Sequence, residues 1–138
     1  MRLPGWEKRL YEFLEEASNR TFEYGTFDCA LFACDAIQAL TGKNPKEIIT
    51  DGYHGEDEAE KILSKYGGIE TIAMIVAEKI DFHPIPILFA QRGDIVLGKI
   101  HKTPCLGVCT GSKISFPAPE GLARIDIDSK MLIRAWRI

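Results

Sequence analysis

The hydrophobic pattern of this chain changes its period once, near Phe82-His83-Pro84-Ile85-Pro86, and that change leaves few folds open. Before it, apolar residues recur at three- and four-residue spacing; after it come short apolar runs separated by glycine and proline turns. The first pattern belongs to helices that bury a stripe, the second to strands that bury a face. Helices first and strands last predict an α+β domain with its sheet packed on helices, not an alternating parallel-sheet fold. A chain of 138 residues can close such a core without metal or disulfide staples, so a single domain over 1–138 is expected.

In the helical half, Trp6, Leu10, Phe13 and Leu14 predict an amphipathic helix from Pro4 to Ala17, followed by a turn at Ser18–Thr21. Leu31, Phe32, Ile37 and Leu40, interleaved with Ala30, Ala33, Ala36 and Ala39, predict a close-packed central helix that starts at Asp28 and ends at Gly42. Asn44-Pro45 and Asp51–Gly55 have loop chemistry. Helices follow at Glu58–Tyr66 and Ile69–Ile80. Strands are predicted at Asp94–Leu97, Cys105–Cys109, Lys113–Phe116, Gly121–Ile125 and Ile133–Ile138.

Seventeen basic residues are scattered among twenty acidic ones, so no basic stripe exists to track a phosphate backbone, and nucleic acid is not an expected partner. Charges interrupt the apolar positions of the N-terminal segment at every turn, which predicts neither a signal peptide nor a membrane span. The expectation is a chain made in the cytoplasm, without membrane contact, whose four cysteines stay reduced. The charged turn Glu56-Asp57-Glu58 lacks the alternating ligand pattern of a calcium loop, and no resident cofactor or metal is expected.

Cys29 is the residue to which chemistry attaches. Asp28 has the side chain of an N-cap, which makes Cys29 the first helical residue, where the positive end of the helix dipole favours thiolate over thiol. Thiolate is the nucleophilic form. The adjacent Asp28 charge partly opposes this, and the alternative is that Cys29 is a small buried hydrophobe like Cys34. Cys34 lies five residues on, roughly 140° around the helix, and is not expected to share a site with Cys29. Cys105 and Cys109 are expected on one sheet face, where a three-cysteine metal or redox site with Cys29 is conceivable, although its spacing matches no zinc knuckle.

Three segments in order, Phe22-x-Tyr24-Gly25-x-x-Asp28-Cys29-Ala30-Leu31-Phe32, then Arg92-Gly93-Asp94-Ile95-Val96-Leu97, then Leu106-Gly107-Val108-Cys109-Thr110-Gly111, resemble the NlpC-type cell-wall peptidases, which are small papain-like enzymes. The resemblance covers about residues 20–116. Trp6 to Leu10, Gly52-Tyr53 and the terminal Ala135-Trp136-Arg137-Ile138 further resemble a group of small phage and prophage proteins distantly related to that family and encoded with tail genes. The resemblance implies a papain-like domain with the cysteine-bearing helix packed on a C-terminal antiparallel sheet. It also implies a cysteine peptidase or amidase acting on peptidoglycan stem peptides, with phage tail proteins as partners and the virion tail as destination. Cys29 would be the nucleophile, with Tyr24, Asp28 and Cys105 in the binding site.

The family's base is a histidine just before the apolar-Gly-apolar strand, and here Cys105 occupies that position. Of the three histidines, His101 lies nearest in sequence, and a bulge or shifted register would carry it toward Cys29 as the base. His54, in a glycine-bracketed loop, and His83, before a proline, read as surface residues. The family's third polar residue would fall near Ser115 or Phe116. Without an imidazole, the resemblance leaves a catalytically degenerate domain with a structural or binding role in tail assembly as the alternative.

Overall fold

The computed structural model describes residues 1–138 throughout. Five helices come first: α1 (Trp6–Ala17), α2 (Cys29–Thr41), α3 (Lys46–Ile49), α4 (Gly55–Tyr66) and α5 (Ile69–Lys79). Six strands follow: β1 (His83–Ile85), β2 (Ile95–Ile100), β3 (Thr103–Cys109), β4 (Lys113–Pro117), β5 (Leu122–Asp126) and β6 (Leu132–Arg137). A 3-10 turn at Ile87–Phe89 links β1 to β2. The domain is α+β, and the strands form one antiparallel sheet in the order β1-β6-β2-β3-β4-β5.

Helix α2 begins and ends as its sequence dictates. The Asp28 side chain accepts the Leu31 N–H, and Gly42 closes the helix in the left-handed conformation at φ 79°. Between them Ala33, Ala36, Phe32 and Leu40 are buried, and the small alanines let α2 lie close to its neighbours. Ile95 and Leu97 of β2, Leu106 and Val108 of β3, and Trp136 of β6 meet α2 in the main core together with Leu10 of α1. The alternate residues Val96 and Cys109 face a second apolar cluster with Ile114, Phe116, Leu132 and Ala135. Burial of both sheet faces explains why these strands read as nearly continuous apolar runs.

Three local features differ from the sequence expectation. Helix α4 starts at Gly55, ahead of Glu58, because Glu58 Oε1 accepts the His54 N–H at 3.1 Å and stabilises an extra first turn. After Asn44-Pro45 the chain forms a single helical turn, α3, with Asn44 Oδ1 accepting the Lys46 N–H at 3.2 Å. His83–Ile85, where the hydrophobic period changes and no strand is predicted, is a short strand paired with β6. Its position at the sheet edge tolerates Pro84, which has no N–H to donate.

Asp94 is fully buried at the entry to β2. Its carboxylate accepts from Arg2 Nη2 at 2.9 Å, the Gln91 N–H at 2.9 Å, the Ile138 N–H at 3.3 Å and Arg137 Nε at 3.4 Å. One side chain thus joins the first residues, the last strand and the start of the sheet. A carboxylate this deep is tolerated only because two guanidiniums and two amides replace its water.

Candidate functional site

The segment before α2 is held by one carboxylate. Asp28, 3% exposed, accepts the Gly25 N–H at 3.0 Å, the Leu31 N–H at 2.9 Å and the hydroxyl of Tyr53. Tyr53 arrives from the loop between α3 and α4, which crosses Gly25 so closely that a Cβ there would sit 2.2 Å from the Tyr53 carbonyl oxygen. Gly25 also stands at φ 89°, so both space and backbone require glycine. Burial first, and then the hydrogen bond to Asp28, push the Tyr53 phenol well above its ordinary range, so it is a neutral donor to that carboxylate.

This clamp sets Cys29 as the first residue of α2, half-buried, with its sulfur against the start of β3. Strand β3 pairs with β4 at Val108↔Ser115 and Cys109↔Ile114, and the pairing does not extend back toward Thr103. The Leu106 and Ala30 amides favour the charged form of Cys29. The Cys105 thiol donates to the Leu106 carbonyl, its sulfur 3.7 Å from that oxygen.

These groups decide the ionisation of the pair. The Cys105 thiol, and after it the Leu106 amide, hold Cys29 below the ordinary thiol range; burial and the Asp28 charge oppose them without prevailing. Cys105 is displaced strongly upward, first by Cys29 and then by burial. The first proton lost leaves a thiolate on Cys29 and a thiol on Cys105, and the titration belongs to the pair. Cys34, buried and next to Asp35, is pushed up to about 12 and remains a thiol. Cys109 is fully buried in the second cluster, its sulfur 3.3 Å from the Gly111 carbonyl.

The conceivable site joining Cys29, Cys105 and Cys109 is not formed. Cys29 packs on the α2 core, whereas Cys109 belongs to the second cluster and Cys105 packs against that cluster too. No group of three or more histidine, cysteine or acidic side chains is arranged to hold a metal ion. The separation expected between Cys29 and Cys34 also needs correction. A small apolar cavity of about 60 Å³ beside the first turns of α2 is lined by both Cys29 and Cys34, together with residues of α3, α4 and α5. Tyr24 and Tyr53 stand in its wall with Ile62 and Ile72. Burial, then the charges of Glu56 and Cys29, raise the pKa of Tyr24.

The histidines lie elsewhere. His101 and Lys102 form the two-residue β2–β3 turn, at φ 50° and 68°, with His101 exposed. β3 runs in regular register with β2 from Thr103, so no bulge brings the ring back. Between His101 and Cys105 lie the turn residue Lys102 and the paired strand residues Thr103 and Pro104, so the ring stays at the hairpin tip. His54 is exposed at the start of α4, and exposed His83 on β1 faces Asp81 at 3.9 Å. Ser115 is buried opposite Val108 rather than beside Cys105. The Tyr53–Asp28 bond was not foreseen from the sequence, although the motif Gly52-Tyr53 marked the tyrosine that makes it.

Fold and site together define an α+β domain with a half-buried thiol at the start of its central helix. Over its full length, residues 1–138, the chain matches the model of a domain family of unknown function, DUF6950, and belongs to that family. No curated protein matches it. No helix is long and apolar enough to cross a membrane.

Proposed function

We propose that the chain is a papain-like domain of the NlpC type from a phage or prophage tail apparatus, and that Cys29 is a thiolate nucleophile toward amide bonds of peptidoglycan stem peptides. The observation that carries this reading is Cys29 at the first position of α2, half-buried behind the buried Asp28 cap. The helix dipole favours its thiolate. Attack on a stem-peptide carbonyl would form a thioester and release an amine, which requires a proton. That proton would come from the Cys105 thiol, which becomes easier to ionise once the Cys29 charge is consumed, because that thiolate is what raises its pKa.

A second reading follows from the placement of His101 at the hairpin tip: the same domain serves tail assembly as a binding or structural part, and Cys29 does not turn over. Incubation of the reduced protein with purified muropeptides, followed by mass spectrometry of both components, separates the two. Released amine and regenerated enzyme, both lost in Cys29→Ser, support the hydrolase. Intact muropeptides, with Cys29 still alkylated by iodoacetamide at pH values where ordinary thiols are inert, support the assembly role.

A further inference from the structure

Ala17 and Ala39 leave a groove of about 360 Å³ between α1 and α2, and it shares no residue with the cavity beside Cys29. Four charged side chains line it, two of each sign: Arg9, Glu16, Arg20 and Asp35. Arg9 Nε donates to the Ala39 carbonyl near the end of α2, and Arg20 Nη2 donates to the Thr26 carbonyl, at 3.1 Å, just before that helix begins. The guanidinium of Arg20 also lies over the Phe27 ring, 4.7 Å from its centroid. The basic groups therefore stand at the two ends of the groove, each anchored and each with N–H donors to spare, while Glu16 and Asp35 lie between them. No ion pair joins the four; the ion pairs of the molecule lie elsewhere. Asp35 is half-buried, and burial, opposed by the Arg20 charge, raises its pKa.

This arrangement selects the charge of a ligand. A simple anion drawn to the guanidiniums would meet two carboxylates, and a simple cation drawn to the carboxylates would meet two guanidiniums. A molecule carrying both signs suits both, and the half-buried ring of Phe13 offers its apolar part a wall. The volume is at the lower end for a small-molecule site. We propose that the α1–α2 groove binds a small zwitterion of the α-amino-acid class, with the ligand carboxylate on Arg20, its ammonium on Asp35 and its side chain against Phe13. The site lies apart from Cys29 and is independent of the hydrolase reading.

The test is a titration of the isotope-labelled full chain with L-leucine, followed through its backbone amides by NMR. The expected result is saturable movement of the Phe13, Ala17, Asp35 and Ala39 amides at millimolar leucine. N-acetyl-leucine lacks the ammonium and leucinamide lacks the carboxylate, so each should bind about tenfold more weakly, the usual contribution of one charge-assisted hydrogen bond. Asp35→Asn removes the charge and keeps the shape. With its fold confirmed by circular dichroism, that variant should bind leucine about tenfold more weakly and lose the preference for leucine over N-acetyl-leucine. Immobile groove amides at millimolar leucine, equal affinity for the three ligands, or an Asp35→Asn chain that binds leucine as the wild type does would overturn the proposal. Muropeptide hydrolysis has no part in these readouts, so failure of either idea leaves the other standing.

Discussion

The hydroxyl of Tyr53 donates to the carboxylate of Asp28, the residue that caps α2 and precedes Cys29. A loop from the far side of the helical half thereby fixes where the cysteine helix begins. Tyr53→Phe keeps the ring in its apolar surroundings and deletes only the donor. A lost hydrogen bond to a buried charged group costs about 2 kcal/mol. Urea unfolding should show that loss with an unchanged m-value; unchanged stability would mean that Tyr53 is held by packing alone.

Cys29 reactivity should respond in opposite directions to its two polar neighbours. Removing the Cys105 donor by Cys105→Ala should raise the Cys29 pKa and move its alkylation midpoint to higher pH. Asp28→Asn keeps an oxygen for the Leu31 N–H but removes a charge that disfavours thiolate, so the midpoint should fall. Each pH unit of movement corresponds to about 1.4 kcal/mol. The sign for folding follows: the depressed Cys29 pKa contributes stability above the thiol's unfolded value, lost as pH falls through the folded one. Iodoacetamide rates from pH 5 to 10 for the three proteins read both shifts, and midpoints that move together would refute the assignment.

Asp94→Ala should be among the most destabilising single changes in the chain. It strands the Arg2 guanidinium, whose side chain is only 16% exposed, and leaves the Gln91 and Ile138 amides without their acceptor. Breaking a buried ion pair from one side costs about 3 kcal/mol or more. Arg137→Ala should cost less, because that arginine is 41% exposed and its contact with Asp94 is the longest of the set. Thermal unfolding of the two variants should rank them in that order.

The β2–β3 turn holds His101 and Lys102 in the left-handed region, where side chains with a Cβ are strained. Replacing the pair by Asn-Gly, the sequence preferred by two-residue turns of this hand, should stabilise the domain by about 1 kcal/mol. If His101 sits as far from Cys29 as the turn places it, the alkylation profile of Cys29 will not change. A slower reaction at neutral pH in the double variant would return His101 to the role of base.

Much of this architecture is local and therefore legible in the chain itself. The cap at Asp28, the stop at Gly42 and the change from period 3.6 to period 2 each reflect residues a few positions apart, and that period marks the five longer strands although their pairing reaches as far as Ile95↔Trp136. The edge strand at His83–Ile85 was hidden because its pairing depends on β6, fifty residues away, while its own prolines read as turn. Asp94 was visible as part of a motif, but not as the residue gripping Arg2 and Arg137, since ion pairs across 92 and 43 positions leave no periodic trace.

The sequence alone determined that a thiol would stand at the positive end of a buried helix, because capping chemistry and hydrophobic period act along the chain. Tertiary structure decided what that thiol meets. The even alternation of β3 turns Leu106 and Val108 toward the α2 core and Cys105 and Cys109 toward the second cluster, so the cysteine at the helix start packs with the first of these faces. The regular two-residue turn keeps His101 at the tip of its hairpin. Contacts between a helix end and a strand depend on how far each strand runs before it parts from its neighbour, and that length is set by the packing of the whole sheet.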